Sequence, residues 1–341
     1  MRLFVSEYLC CGAWGDTLRP PGLAAEGRAM LRAAVHDFAG IPDVTVATTY
    51  DAALGAHGLN GVEVHIARAP SEEQSLFARL AVECDATFLI APEFDGILAA
   101  RCRAVEAAGG RLLGPSSGAA ELCADKWRLA SHWYTRGVAT IKTHLLDPRF
   151  CDEIGFPAVV KPRDGAGSQT MFLVRNHDEF RELLPQFTAR AVAKGMIWQP
   201  YIAGQALSVA AIVSPAGGVQ VWPVCEQHLS ADGRFRYGGG RLPARCAQLE
   251  AVQALARRAC ECVSGLRGYV GIDLLLPTRQ YAEPLVVEIN PRLTTSYLGY
   301  RALAAENLAR RMLAPDCNAA PVAWRPGTVQ FDACDNVDEA G

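Results

Sequence analysis

The sequence predicts two architectures in series, a parallel α/β domain followed by an α+β region. Two observations carry this. Over roughly the first 110 residues, short apolar or β-branched strands alternate with helical stretches, the pattern of a parallel sheet covered by helices. After Leu113-Gly-Pro-Ser-Ser-Gly, strands come in pairs around Gly- or Pro-containing connections, with single helices between the pairs. No internal repeat is present.

Taken in order, Leu3 to Ser6 is a short strand and Leu23 to Phe38 has helical periodicity. Strands are expected at Val44 to Thr49, Val62 to Ile66 and Ala86 to Ala91, with helices at Glu72 to Glu83 and Ile97 to Ala108. In such a sheet the ligand crevice lies beyond the carboxyl ends of the strands. Glu7, Glu93 and Asp95 each follow a strand directly, as site residues or as solvated loop acids. Ala119 to Arg136 then reads as one helix. "FPAVVKPRDGAGSQTMFLV" reads strand, Gly-rich loop, strand, and a helix follows over roughly Asp178 to Lys194. "MIWQPYIAGQALSVAAIV" holds two strands around Ala203-Gly204, which reads as a hairpin, and "VQVWPV" is a further strand. Gln248 to Ser264 is helical. Residues 316–341 carry five acids and little periodicity, so the sequence leaves their order open.

Half of the 341 residues are hydrophobic, a fifth are charged, and the formal net charge is −3. That balance gives no global attraction to nucleic acid or to an anionic membrane. No apolar run reaches the 18 or so residues of a membrane span, and the start has no signal-peptide pattern, so the expected location is cytoplasmic. The twelve cysteines include no Cys-x-x-Cys and read as buried, reduced thiols. The seven histidines form no ligand pair at helical spacing.

The chemistry concentrates in "LVVEINPRLTTSY", Leu285 to Tyr297. Side chains on a strand alternate faces, so Glu288, Asn290 and Arg292 share one face, about 6.6 Å apart along it. The preceding strand, "YVGIDLLLP", ends at Pro277, and this one begins at Pro284. A hairpin symmetric about those two prolines sets Asp273 directly opposite Glu288, roughly 5 Å away. Facing carboxylates repel unless something neutralises them. Asp, Glu and Asn oxygens suit a hard divalent ion such as Mg²⁺, with Mn²⁺ as a substitute, bound together with substrate phosphates.

"VVKPRDGAGSQT" places Lys161 at a strand end, ahead of Gly165, Gly167 and Ser168. Glycines let backbone N–H groups approach an anion, and lysine adds a point charge. The loop is not a Walker A motif. Lys126, in "CADKWRLA", lies on a helical segment whose other side is Leu122, Leu129 and Ala130. "QPYIAGQALSV" describes an apolar slot with free backbone groups along one edge, suited to a purine.

The order Lys, Lys with Gly-rich loop, slot, Asp, Glu-x-Asn resembles the ATP-grasp superfamily over roughly residues 115 to 315. The resemblance implies an ATP-grasp fold with an N-terminal Rossmann-like domain at 1–114. It further implies a small lid subdomain at 115–200, a metal-binding subdomain at 201–315 and a tail at 316–341. It implies ATP held by Lys126, Lys161, Gly165, Gly167 and Ser168, with Gln199, Tyr201 and Ile202 framing the adenine and Mg²⁺ on Asp273, Glu288 and Asn290. One departure stands out. Where many members carry a ribose-binding glutamate this chain has Ala206, and Gln199 replaces a common acid. A lost ribose contact weakens nucleotide binding by about 1 to 3 kcal/mol unless another group substitutes.

A narrower resemblance, to tyramine–glutamate ligases of methanofuran-type cofactor synthesis, rests on Ser6 to Tyr8, Glu26 to Leu31, Ala91 to Leu98, "YGGGRLP" at Tyr237 to Pro243, and "EINPRLTTSY". It implies a carboxylate–amine ligase that makes an acyl phosphate from glutamate and passes it to tyramine, tyrosine or a related aromatic amine. Small-molecule substrates, and a homodimer as is usual for relatives, complete the expectation. Arg292 then steadies the acyl group or departing phosphate, and Arg241, on a mobile Gly-rich lid, meets a substrate carboxylate. The alternatives are a ligase for other amino acids, a polyglutamate extender, and a nucleotide-binding protein without turnover.

Overall fold

A computed structural model describes residues 1–15, 19, 21–147, 155–165, 170–279, 282–332 and 337–340. The strands β1 (Arg2–Glu7), β2 (Thr45–Asp51), β3 (Glu63–Ala67) and β4 (Ala86–Ile90) form a parallel sheet in the order β3-β2-β1-β4. Helices α1 (Pro21–Ala39), α2 (Pro70–Glu83) and α3 (Ile97–Ala107) connect and cover it. All of β4, and all but the first residue of β1 and β2, is buried, so these strands read as unbroken apolar or β-branched runs. Their carboxyl ends aim Glu7 and Glu93 inward, at 2% and 4% exposure.

The helix expected over 119–136 is two helices, α4 (Ser117–Ala124) and α5 (Lys126–Tyr134). Asp125 is the break. Its backbone is extended, at φ −93° and ψ 94°, and its carboxylate caps α5 by accepting from the Arg128 N–H at 3.0 Å. The capping preference of aspartate wins over the helical periodicity on either side.

A small antiparallel sheet follows, made of β5 (His144–Leu145), β6 (Ala158–Pro162), β7 (Phe172–Val174) and β8 (Met196–Pro200) in the order β5-β8-β6-β7. Phe180 and Phe187 of α6 (His177–Lys194) pack on it. The main sheet comprises β9 (Gly204–Val213), β10 (Val219–Leu229), β11 (Tyr237–Leu242), β12 (Gly268–Pro277), β13 (Leu285–Asn290), β14 (Thr328–Phe331) and β15 (Val337–Ala340). Its order is β13-β12-β9-β10-β11-β14-β15. The "QPYIAGQALSV" segment is therefore not a hairpin. Residues 201–203 carry the chain from one sheet to the other, because β8 pairs with β6 and β5 while β9 pairs with β10 and β12.

Both faces of the main sheet are covered. Leu207, Val209 and Ala211 of β9 pack against Ala119, Leu129 and Trp133 of the helix pair and Val252 and Ala256 of α7 (Leu249–Glu261). Ala210 and Ile212 share the opposite core with Tyr297 and Tyr300 of α8 (Ser296–Leu303) and with Leu31 and Phe38 of α1. One consequence differs from the sequence reading. Helices α4 and α5 pack on the main sheet, not with the 144–200 sheet they were grouped with. The 316–341 segment, whose order the sequence left open, carries β14, which pairs with β11 and buries Val329 and Phe331. A cleft of about 620 Å³ lies between the two antiparallel sheets, lined from both.

Candidate active site

Asp273 and Glu288 are register partners on β12 and β13, as are Gly271 with Asn290 and Ile272 with Ile289. Toward the connection the register slips, because Leu274 pairs with Val286 and leaves Val287 as a bulge. The symmetry about Pro277 and Pro284 thus holds only on the far side of the bulge, which is the side that carries the acids. Both oxygens of Asp273 accept hydrogen bonds, from Gln227 Nε2 at 2.9 Å and Asn290 Nδ2 at 3.0 Å. Lys126 Nζ lies 2.9 Å from Glu288 Oε2. Burial and the charge of Glu288 push the Asp273 carboxyl well above the usual carboxylate range. Burial pushes Glu288 the same way, but Lys126 and Lys161 outweigh it and hold Glu288 well below that range.

Two partly buried, facing carboxylates with an amide oxygen beside them form an all-oxygen donor set, and neighbouring positive charge keeps Glu288 ionised. That fits a hard divalent cation. Asp273, Glu288 and the Asn290 amide oxygen are the groups that could hold it. Among the described residues no three His, Cys, Asp or Glu side chains are arranged to hold a metal ion, so the remaining ligands would come from substrate and water.

Lys126 is the first residue of α5, placed there by the Asp125 break, and its Nζ also donates to the Gly165 carbonyl at 2.9 Å. Arg163 clamps the break, with Nε 2.9 Å from Asp125 Oδ1 and its carbonyl accepting from the Lys126 N–H at 3.0 Å. Lys161, on β6, is 3% exposed and lines the cleft. Burial pulls its amine down to about 8, Glu288 works against that shift, and Lys126 adds to it. Gly165 is the only glycine of the expected phosphate loop that is described; Gly167 and Ser168 lie outside the described residues.

Gln199, Tyr201 and Ile202 all line the cleft where the chain passes between sheets. Gln199 is 4% exposed and donates from Nε2 to Thr143 Oγ1 at 2.8 Å. Ala206 lines the same cleft and pairs with Leu275. Arg292 lines the cleft as well. Its Nη2 donates to Glu93 Oε2 at 3.0 Å, and its Nε stands 2.9 Å from Oε1 as an ion pair. Burial works to strip the Arg292 proton, but Glu93, Glu26 and Glu288 outweigh it and raise its proton affinity.

Arg241 is elsewhere. "YGGGRLP" is no lid but the internal strand β11, and Arg241 donates to the Pro243 carbonyl at 3.1 Å and Thr328 Oγ1 at 3.2 Å, outside the cleft lining. The glycines serve close packing. A Cβ on Gly239 (φ +117°) would lie 2.1 Å from the Phe331 carbonyl oxygen, and one on Gly240 2.6 Å from that of Glu226.

A family model described as an ATP-grasp domain matches residues 123–296, and one described as a pre ATP-grasp 3 domain matches residues 44–120. The chain belongs to the ATP-grasp family. It is an ATP-grasp ligase, of a family that uses ATP with Mg²⁺. Tyramine–L-glutamate ligase of Methanocaldococcus fervens is 26% identical over 86% of this chain and 88% of its own. A crystal structure of an ATP-grasp superfamily protein from Archaeoglobus fulgidus superposes with a TM-score of 0.71 at 26% identity, over 97% of this chain and 92% of that one. The biotin carboxylase domain of Hydrogenobacter thermophilus 2-oxoglutarate carboxylase, solved with MgADP and bicarbonate, shares the fold. Its TM-score is 0.73 at 16% identity, over 96% of this chain and 73% of that one.

Within the ATP-grasp cleft, sequence reasoning missed Gln227, Ser208 and Glu26. Ser208 pairs with Asp273, and Gln227 reaches that carboxylate from two strands away, a cross-strand relation that no local spacing encodes. Glu26 enters from α1, its Oε2 accepting from Thr295 Oγ1 at 3.3 Å. A carboxylate at the sixth position of an amphipathic helix looks like a surface acid until the partner domain is in place.

Proposed function

We propose that this ATP-grasp ligase joins the γ-carboxylate of glutamate to tyramine or a related aromatic amine such as tyrosine, in methanofuran-type cofactor synthesis. The carboxylate–amine ligase class follows from the family; the substrate pair is supported by the 26% identity to the M. fervens enzyme across most of both chains. The observation that carries the chemistry is the convergence of Lys126 and Lys161 on the facing Asp273–Glu288 pair, which lines the cleft with Lys161.

In the first step a carboxylate oxygen of glutamate attacks the γ-phosphorus of ATP, the bond to the bridging oxygen breaks, and ADP leaves. In the second the amine nitrogen attacks the acyl carbon, the carbon–oxygen bond breaks, and phosphate departs with that oxygen while the amine gives up a proton. Lys161 and Lys126 supply positive charge to the transferring phosphoryl group in a buried setting, where each charge acts strongly. Asp273, Glu288 and Asn290 would hold Mg²⁺, or Mn²⁺ in its place, which neutralises phosphate charge when bound. Gln199, Tyr201 and Ile202 offer the adenine flat contact and backbone edges. Arg292, fixed by Glu93, is positioned to steady the acyl phosphate, and Glu26 offers a carboxylate to a substrate ammonium at the same end.

The test is ADP release with Mg²⁺-ATP and glutamate against a panel of amines that includes tyramine and tyrosine. Release that depends on one aromatic amine supports the reading. Release driven by a different acid–amine pair would overturn the substrate assignment while leaving the ligase in place.

A further inference from the structure

A second recess, of about 250 Å³, shares no lining residue with the catalytic cleft. It lies where segment 110–114 leaves the parallel sheet and crosses the start of β12. Leu113 donates to the Thr87 carbonyl at 2.8 Å on one side, and a Cβ on Gly268 would stand 3.2 Å from Gly114 Cα on the other. The N-terminal domain and the main sheet therefore both contribute walls.

Arg111 and Arg267 line this recess, and neither has an ion-pair partner among the described residues. Among the described residues, Arg267 Nε is buried without a hydrogen-bond partner, and Arg111 Nη2 reaches only the Leu313 carbonyl, at 3.3 Å. The one acid in the wall, Glu106, is already engaged: it accepts from the Ser117 N–H at 2.9 Å and from the Ser117 hydroxyl at 2.6 Å. A buried cationic donor with no acceptor is unfavourable, and a guanidinium fork matches the oxygens of a carboxylate or phosphate. Leu112, Leu113 and Pro215 close the sides, and Gly114 leaves the middle open, since a Cβ there would find its nearest neighbour 4.0 Å away.

We propose that this recess binds a small oxyanion, a phosphate or a carboxylate, held between the Arg111 and Arg267 guanidinium groups and bridging the two domains. The proposal is independent of which substrates the catalytic cleft takes.

Thermal unfolding of the full chain, at ionic strength held constant with chloride, tests it with inorganic phosphate and with succinate as probes. A bound anion should raise the midpoint by roughly 2 °C at ten times its Kd, and the probe with the larger response gives the anion class. The shift should persist in Lys161→Ala, which alters only the catalytic cleft, and disappear in Arg267→Gln. Gly114→Leu fills the recess and keeps both charges, so it should also abolish the shift and carries the test if Arg267→Gln does not fold. A wild-type response in either recess variant, or no response to either probe in the wild type, would overturn the proposal.

Discussion

Arg292 and Glu93 lie 199 residues apart in the chain and 2.9 Å apart in the fold. One follows the antiparallel strand β13, the other the parallel strand β4, and their side chains are 13% and 4% exposed. The pair therefore fastens the N-terminal domain to the cleft and fixes a guanidinium that lines it. Removing one member of a buried ion pair leaves an uncompensated charge, at about 3 kcal/mol. Glu93→Gln should lower stability by that order in denaturant unfolding and raise the KM for the acid substrate more than that for ATP. An unchanged unfolding midpoint would show that the pair is not structural.

Glu288→Gln should abolish ADP release, a loss of at least about a thousandfold, because the ion ligand and the partner of Lys126 go together. The fold should survive, since the substitution also removes the charge that Asp273 faces. Circular dichroism and the unfolding midpoint check the second half; wild-type-like turnover in a folded variant would refute the metal assignment.

The three glycines of β11 separate the packing account from a lid. A Cβ on Gly238 would find its nearest atom at 3.6 Å, whereas Gly239 and Gly240 would meet carbonyl oxygens at 2.1 and 2.6 Å. Gly238→Ala should be nearly neutral, while Gly239→Ala and Gly240→Ala should each destabilise by about 2 kcal/mol or more. A flexible lid would instead show three similar stabilities and altered turnover.

Stability should also carry a signature of Glu7. Burial raises its carboxyl from the ordinary 4.5 to about 7, against hydrogen bonds from Cys10 and Leu9 and the charge of Arg292. The folded protein therefore holds this proton more tightly than the unfolded chain does. Its stabilising contribution is present below about pH 4.5 and lost as pH rises to about 7, an amount of about 3 kcal/mol. Glu7→Gln keeps an acceptor for the Cys10 N–H and removes the titration. Relative to wild type, the variant should gain about 3 kcal/mol between pH 5 and pH 8 in urea unfolding. Parallel pH profiles would contradict this.

What was legible in the sequence was local. The alternating strands and helices of the parallel sheet, the Asp273–Glu288 facing and the lysine at the end of β6 all follow from short-range period and spacing. The Asp125 cap was legible too, but helical periodicity on both sides masked it. The hairpin misreading of "QPYIAGQALSV" and the lid misreading of "YGGGRLP" share a cause: glycine permits a turn, a hinge or a close approach, and only the neighbouring strands decide which. Phe331, which explains Gly239 and Gly240, lies in a segment whose composition left its order open. Glu26, Gln227 and the Glu93–Arg292 pair depend on domains meeting, which no local pattern records.

The central claim is that a substrate carboxylate is activated as an acyl phosphate. Turnover of glutamate carrying ¹⁸O in its γ-carboxyl group, with Mg²⁺-ATP and the accepted amine, tests it by mass spectrometry of the released phosphate. The account predicts one ¹⁸O transferred to phosphate per amide formed. Phosphate free of the label, alongside amide product, would contradict it.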